Sequence, residues 1–280
     1  MVTQSNSINA GQQGVQYFNG TATFSGIDGS TAGKVLTSNG TLVAPSFQAA
    51  TPMPSATLVS VDDFIGVSYV SSASSVYGVE SWFVSGTGMN VEGGQTSAHP
   101  GVLMFPSGNI ASGNSGIFLG NNSGAISQNI VLGGGALTVN WVIETETLST
   151  VTDRYSFRVG LGDTAAADQV NGVYFEYSDN LNSGQWVGKT ASASSRNSSN
   201  SNVAAVNNAY VNLGISINAA ASSVTFSING VAISGGPIAA TIPTAAITPF
   251  FDVTRVSGTV LANAVRADLY YLSQTLTTPR

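Results

Sequence analysis

Three glutamates pose the first chemical question. Glu144 and Glu146 lie two residues apart in an alternating run, and Glu176 lies in another. Paired carboxylates are the machinery of glycoside hydrolysis, where a retaining enzyme holds them about 5–5.5 Å apart. Residues i and i+2 on one strand face are separated by two strand rises, about 6.5–7 Å. A carboxyl serving as general acid also needs an apolar pocket to raise its pKa. A solvated strand face accounts for the pair more simply, so no catalytic residue is assigned and the chain is not expected to be an enzyme.

The other chemical candidates are sparse. His99 is the single histidine, so any Ser-His-Asp triad would have to be built around it. It sits in Ala98-His-Pro-Gly101, a turn-like setting that suits a structural hydrogen bond or solvent exposure. One histidine and no cysteine make a zinc site improbable. Asp163 and Asp168 flank a loop that could offer oxygens to calcium, but their spacing matches no calcium-loop motif, so no metal and no cofactor are expected. Gly133-Gly-Gly135 lacks the lysine and the strand-to-helix setting of a phosphate loop and reads as a turn. Trp82, Trp141 and Trp186 could stack on sugar rings if exposed. Trp141 alternates with Val139 and Ile143, which places it in a core. Trp186, after Asn182-Ser-Gly184, is the candidate ligand-binding residue at a rim.

Composition narrows the function classes. Only 8% of the 280 residues are charged, against about 25% in ordinary domains. The net charge is −6, with eight basic residues of which Lys34 and Lys189 are the lysines. Nucleic-acid binding needs clustered basic residues to displace counterions, so it is not expected. An anionic membrane leaflet would repel this surface as well. A neutral polar surface gives little repulsion between copies and suits tightly packed assemblies. Met1-Val-Thr-Gln-Ser5 has neither the basic start nor the apolar run of a signal peptide, and no stretch of about 18 apolar residues is present to span a bilayer. A protein of this kind found outside a cell would have to be released by lysis or by a dedicated machine, as virion proteins are.

These residues must be carried by strands. Val139, Trp141 and Ile143 share one face, with Asn140, Glu144 and Glu146 on the other. Tyr155, Phe157, Val159 and Leu161 alternate with Ser156, Arg158 and Gly160, and Val173, Phe175 and Tyr177 repeat the pattern. So do Val211, Leu213, Ile215 and Ile217, and later Val265, Ala267, Leu269 and Tyr271. Such alternation predicts antiparallel sheets with one buried and one wet face. Asn229-Gly230 between two alternating runs predicts a tight hairpin, because both residues tolerate positive φ. With no capped helical pattern, the fold class is all-β, a two-sheet sandwich or jelly roll over residues 60–280. The run of Ser and Asn over 191–202 predicts an exposed loop. The short link around Ser149–Asp153 predicts that its two flanking strands pair, which would put Arg158 in an outward ion pair with Glu144 or Glu146.

Residues 1–50 differ. Gly14–Phe18, Ala22–Phe24 and Lys34–Thr37 are strand-like runs separated by Asn19-Gly20, Asp28-Gly29 and Asn39-Gly40. Their few large apolar residues, such as Tyr17, Phe18 and Phe24, cannot form a core alone. An attachment or oligomerisation arm is expected, ordered in a homotrimer or on another virion protein. Residues 51–59 read as a Pro-containing linker.

Two segments carry a resemblance. Thr31-Ala-Gly-Lys-Val-Leu-Thr-Ser-Asn-Gly-Thr-Leu-Val-Ala-Pro-Ser-Phe-Gln48 resembles a short element that recurs in phage tail-fibre and related virion proteins. Asp62-Asp-Phe64, Trp82, His99-Pro-Gly101, Arg154–Asp163, Asn171–Tyr177, Trp186, Ser222–Gly230 and Ile242-Pro-Thr244 are similar to a domain of phage structural proteins with a concanavalin-like, laminin-G-like jelly roll. The tract 191–202 departs from that pattern. The resemblance implies a bacteriophage virion appendage (a fibre, spike or capsid decoration) on the particle surface, displaying its jelly roll for host or surface attachment. The alternative is a carbohydrate-binding adhesion module, and a minor one is a polysaccharide-degrading enzyme.

Overall fold

A computed structural model describes residues 57–65, 80, 82–86, 96–107, 113–120, 127–165, 167–178, 183–259 and 264–278, together with the backbone of short strands elsewhere. The chain divides into two compact units, Met1–Ser55 and Ala56–Arg280. In the first unit, β1 (Gly14–Phe18) pairs antiparallel with β2 (Phe24–Asp28), and β3 (Lys34–Thr37) with β4 (Ser46–Ala49). The arm's side chains lie outside the described residues, as do the expected turns at Asn19-Gly20 and Asn39-Gly40.

The second unit is a jelly-roll β-sandwich. Its strands begin with β5 (Thr57–Asp62), β6 (Val76–Tyr77), β7 (Trp82–Gly86), β8 (Asn90–Glu92), β9 (Val102–Phe105) and β10 (Asn114–Leu119). A small ribbon follows, β11 (Asn121–Asn122) with β12 (Ala125–Ile126). Then come β13 (Gly135–Thr145), β14 (Arg154–Gly162), β15 (Gly172–Ser178), β16 (Gln185–Ser192), β17 (Ser195–Ala204) and β18 (Ala209–Ile217). The last are β19 (Val224–Ile228), β20 (Val231–Ala232), β21 (Thr248–Ser257) and β22 (Val265–Leu276). The first sheet has the order β17-β16-β15-β14-β21-β10-β7-β6. The second runs β20-β19-β18-β13-β22-β9-β8, with β5 also paired to β22. The one helical element among the described residues is a short 3-10 turn at Asn182–Gly184.

The inward positions of both sheets fuse into one core. Trp82 and Trp141 pack 5.4 Å apart, and Tyr270 sits edge-on to Trp82 at 4.9 Å. Phe157 and Phe251, 4.7 Å apart, continue the cluster. Gly188 is needed opposite Phe226 of the other sheet, because a Cβ there would lie 2.5 Å from that ring. At the β19–β20 hairpin Asn229 and Gly230 have φ of 52° and 80°, the positive values that a tight hairpin requires.

The structure corrects two expectations. Residues 191–202 are not a loose loop: Gln185–Ser192 and Ser195–Ala204 form a hairpin that turns at Ala193 and Ser194 and makes one edge of the first sheet. The link after Glu146 is not a hairpin either, because it carries the chain from β13 in the second sheet to β14 in the first. Ser149 fixes this crossover, accepting from the Tyr155 amide and donating its own amide to the Tyr177 hydroxyl.

Candidate functional site

The outward face of the first sheet brings together charged groups that the sequence scatters: Arg158, Asp168, Glu176, Lys189, Arg196 and Asp252. Register places Glu176, Arg158 and Asp252 abreast on β15, β14 and β21. One step along lie Lys189, Tyr174, Gly160, Phe250 and Phe118. This face is not wet, and all seven residues of β15 are buried. The cause is the segment 163–171, which returns over the sheet and packs Ala165 against Phe118, Tyr174, Ala191 and Phe250. Gln169, fully buried, holds that segment in shape by accepting from the amides of Asp163 and Thr164 and donating to the Thr164 carbonyl. It occupies the space that a Cβ on Gly162 would need.

Within this cover the charges are matched. Glu176 accepts from Arg158 Nε at 2.7 Å on one oxygen and from Lys189 Nζ at 2.9 Å on the other. Asp168 reaches down from the segment to the Tyr174 hydroxyl at 2.5 Å, to Lys189 at 3.1 Å and to Arg196 Nε at 3.1 Å. Burial opposes the charge on Arg158, but Glu176, Asp168 and Asp252 more than offset it and hold the guanidinium above its ordinary value. Burial likewise works against Asp168, while the Tyr174 hydroxyl, Lys189 and Arg158 outweigh it and hold the carboxyl below 3.8. Tyr174 is pushed up, first by burial and then by Asp168.

The network opens to solvent along β17. Arg196 and Asp168 are each 31% exposed in their side chains. Arg196 also donates to the carbonyls of Asp168 and Gln169, which fixes its fork at the rim. Ser195, Asn197 and Ser198 beside it are exposed. This edge offers hydroxyls, amides and one clamped guanidinium, the donors and acceptors that pair with a polyhydroxylated ligand. Asp168 is held ionised, and Glu176 has both oxygens on cations.

The residues singled out in the sequence go elsewhere or change partners. Arg158 does not meet Glu144 or Glu146, which lie on or just beyond a strand of the other sheet; both bind Arg266, at 2.7 and 3.0 Å. Glu144 is therefore buried and not on a wet face. Trp186, expected at a rim, is 1% exposed and packs edge-on to Phe157 in the core. His99 makes a structural contact, with Nδ1 2.6 Å from Asp268 and its ring stacked on Tyr210 at 3.6 Å. Asp268 is the extra residue of a β-bulge in β22. Asp163 spends its oxygens on the amides of Val170 and Asn171 and on the Asn171 side chain. No cluster fit for a metal occurs among the described residues. Lys189, Tyr174 and Arg196 were not singled out, and Asp168 only as a possible calcium ligand, because strand register and the loop that carries Asp168 bring them together over long sequence separations.

The sequence matches the family described as "SO2946-like, C-terminal domain" over residues 98–268. The chain belongs to that family. Its match begins beside His99 and ends at Asp268, and it includes every residue of the charged network. No curated protein matches the chain by sequence. Among solved structures, this SO2946-like chain is similar to SO2946 of Shewanella oneidensis MR-1, a protein of unknown function. That match has a TM-score of 0.57 at 12% identity, covering 82% of this chain and 91% of that one. It is also similar to an endo-1,3-beta-glucanase from Streptomyces sioyaensis, with a TM-score of 0.51 at 12% identity, covering 81% and 99%. At these identities the likeness is one of fold.

Proposed function

We propose that this SO2946-like protein is a bacteriophage virion appendage, a fibre, spike or capsid decoration, whose jelly roll binds surface glycans without cleaving them. The observation that carries the binding half is the exposed rim of β17, where Arg196 and Asp168 lie among serine and asparagine side chains. The Asp168 carboxyl at this rim, held ionised by Tyr174, Lys189 and Arg158, supports binding over hydrolysis, since a glycosidase needs one carboxyl kept protonated. The shared sandwich of the 1,3-β-glucanase supports a polysaccharide as the ligand class. The virion setting rests on the resemblance of residues 31–48 to a tail-fibre element and on the sparse charge. Residues 1–50 are the anchor, through a homotrimer or a second virion protein, and the protein sits on the particle surface.

Two measurements test this. Particles from a strain encoding the chain should contain it by mass spectrometry, and deletion of residues 1–50 should abolish its incorporation; undiminished incorporation would sink the anchor. Incubation with 1,3-β-glucan should release no reducing ends. Release would replace this reading with the polysaccharide-degrading one, which the glucanase likeness favours.

A further inference from the structure

We propose that the outward face of the second sheet, with β5 at its edge, is where copies of this chain meet. Register sets Val61, Tyr271, Asn140, Gly214 and Ser227 in one row across five strands, and Val59, Ser273, Thr138, Ser216 and Thr225 in the next. The rows on either side hold Thr57, Thr275 and Ala136, then Leu269, Val142 and Asn212. None of these residues is charged. Charge begins one row further on, where Glu144 binds Arg266.

Two copies carry −6 each and must meet on a surface that adds no repulsion. This face meets that condition, whereas the outward face of the first sheet is covered by its own chain through Ala165 and Gln169. At a strand spacing of about 4.8 Å and a row spacing of about 6.8 Å, two rows of five positions and two of three cover about 520 Å². A standard interface takes about 800 Å² from each partner, so the patch suffices for weak association that a tether makes firm.

The edge strengthens the case. Among the described residues β5 pairs only with β22, and Leu58, Val59, Val61 and Ile65 are 38%, 52%, 41% and 50% exposed. Of the devices that blunt natural edges, Thr57–Asp62 has no lysine, proline or bulge, and its one charge, Asp62, is turned inward at the far end of the strand and bonded to Trp82. β5 starts two residues after the first unit ends at Ser55, so chains gathered by their arms bring these edges close together. The occupant is therefore a second copy. This inference rests on the self-association reading above.

Sedimentation equilibrium of the full chain tests it. Thr138→Glu with Ser216→Glu puts like charge on the face, and Val59→Glu with Val61→Glu does so at the edge. Each pair should weaken association at least about tenfold, because like charges are then buried against each other. Val151→Glu with Val206→Glu adds the same charge at positions 92% and 59% exposed outside this face, and should change nothing. Melting curves of all variants verify folding. If both face pairs associate as the parent does, copies meet elsewhere and the inference fails while self-association stands. If the parent is monomeric throughout, the self-association reading fails as well.

Discussion

Outside their common core the two sheets have little in common. On the first, the outward positions hold Glu176, Arg158, Asp252, Lys189 and Tyr174 beneath the segment 163–171. On the second, the corresponding rows hold Ser216 and Thr225, exposed, and Thr138, Ser273 and Asn140, half-buried. A chain with few charges has placed four of them, Arg158, Glu176, Lys189 and Asp252, on a largely buried face where each needs a partner, and left a neutral plain on the other side. Alternation tells which residues face the core; it does not tell which outward face is covered in turn.

That contrast predicts unequal sensitivity. Glu176→Gln removes the partner shared by two largely buried cations and should cost about 3–5 kcal/mol in denaturant unfolding. A loss under 1 kcal/mol would mean the network is solvated. Tyr174→Phe deletes only the hydroxyl bonded to Asp168, a partly exposed carboxyl, and should cost about 1 kcal/mol. Ser216→Ala on the open face should stay within about 0.5 kcal/mol.

Acid sharpens the comparison further. Asp168 is held below 3.8, so its contribution is complete above that pH and is lost as pH falls below it. Asp268, on β22 of the second sheet and bonded to His99, is raised chiefly by burial, with His99 opposing this and Asp63 adding to it. Its ionisation costs stability, which returns as pH falls toward 3.8. The melting difference between Asp168→Asn and the parent should therefore narrow below pH 3.8. The difference for Asp268→Asn should grow more unfavourable to the variant on approaching that pH from above. Parallel curves for the two variants would contradict this assignment.

Much of the sandwich was legible because local rules dictated it. Val139, Trp141 and Ile143 could face only a core, and Asn229-Gly230 could form only a tight hairpin. The link from Glu146 to Asp153 was misread because a short connection between alternating runs suits a hairpin or a crossover equally, and both sheets present the same alternation to it. The error over Arg158 followed directly. Trp186 was misplaced because Gly184 before it suggested a rim, although its inward parity on β16 sends it to Phe157. The Ser/Asn tract looked unstructured because its residues are poor strand formers; backbone pairing to β16 holds it as a strand. The network itself depends on pairs separated by many residues, such as Lys189 and Asp168, which no local pattern marks.

The most direct test of the account is a glycan array probed with the parent, Arg196→Ala and Ser216→Glu, followed by mass spectrometry of the retained glycan. The expected result is a bound glycan recovered intact, with binding lost in Arg196→Ala and kept in Ser216→Glu. Shortened products, or binding untouched by Arg196→Ala, would contradict a non-cleaving attachment site on the rim of β17.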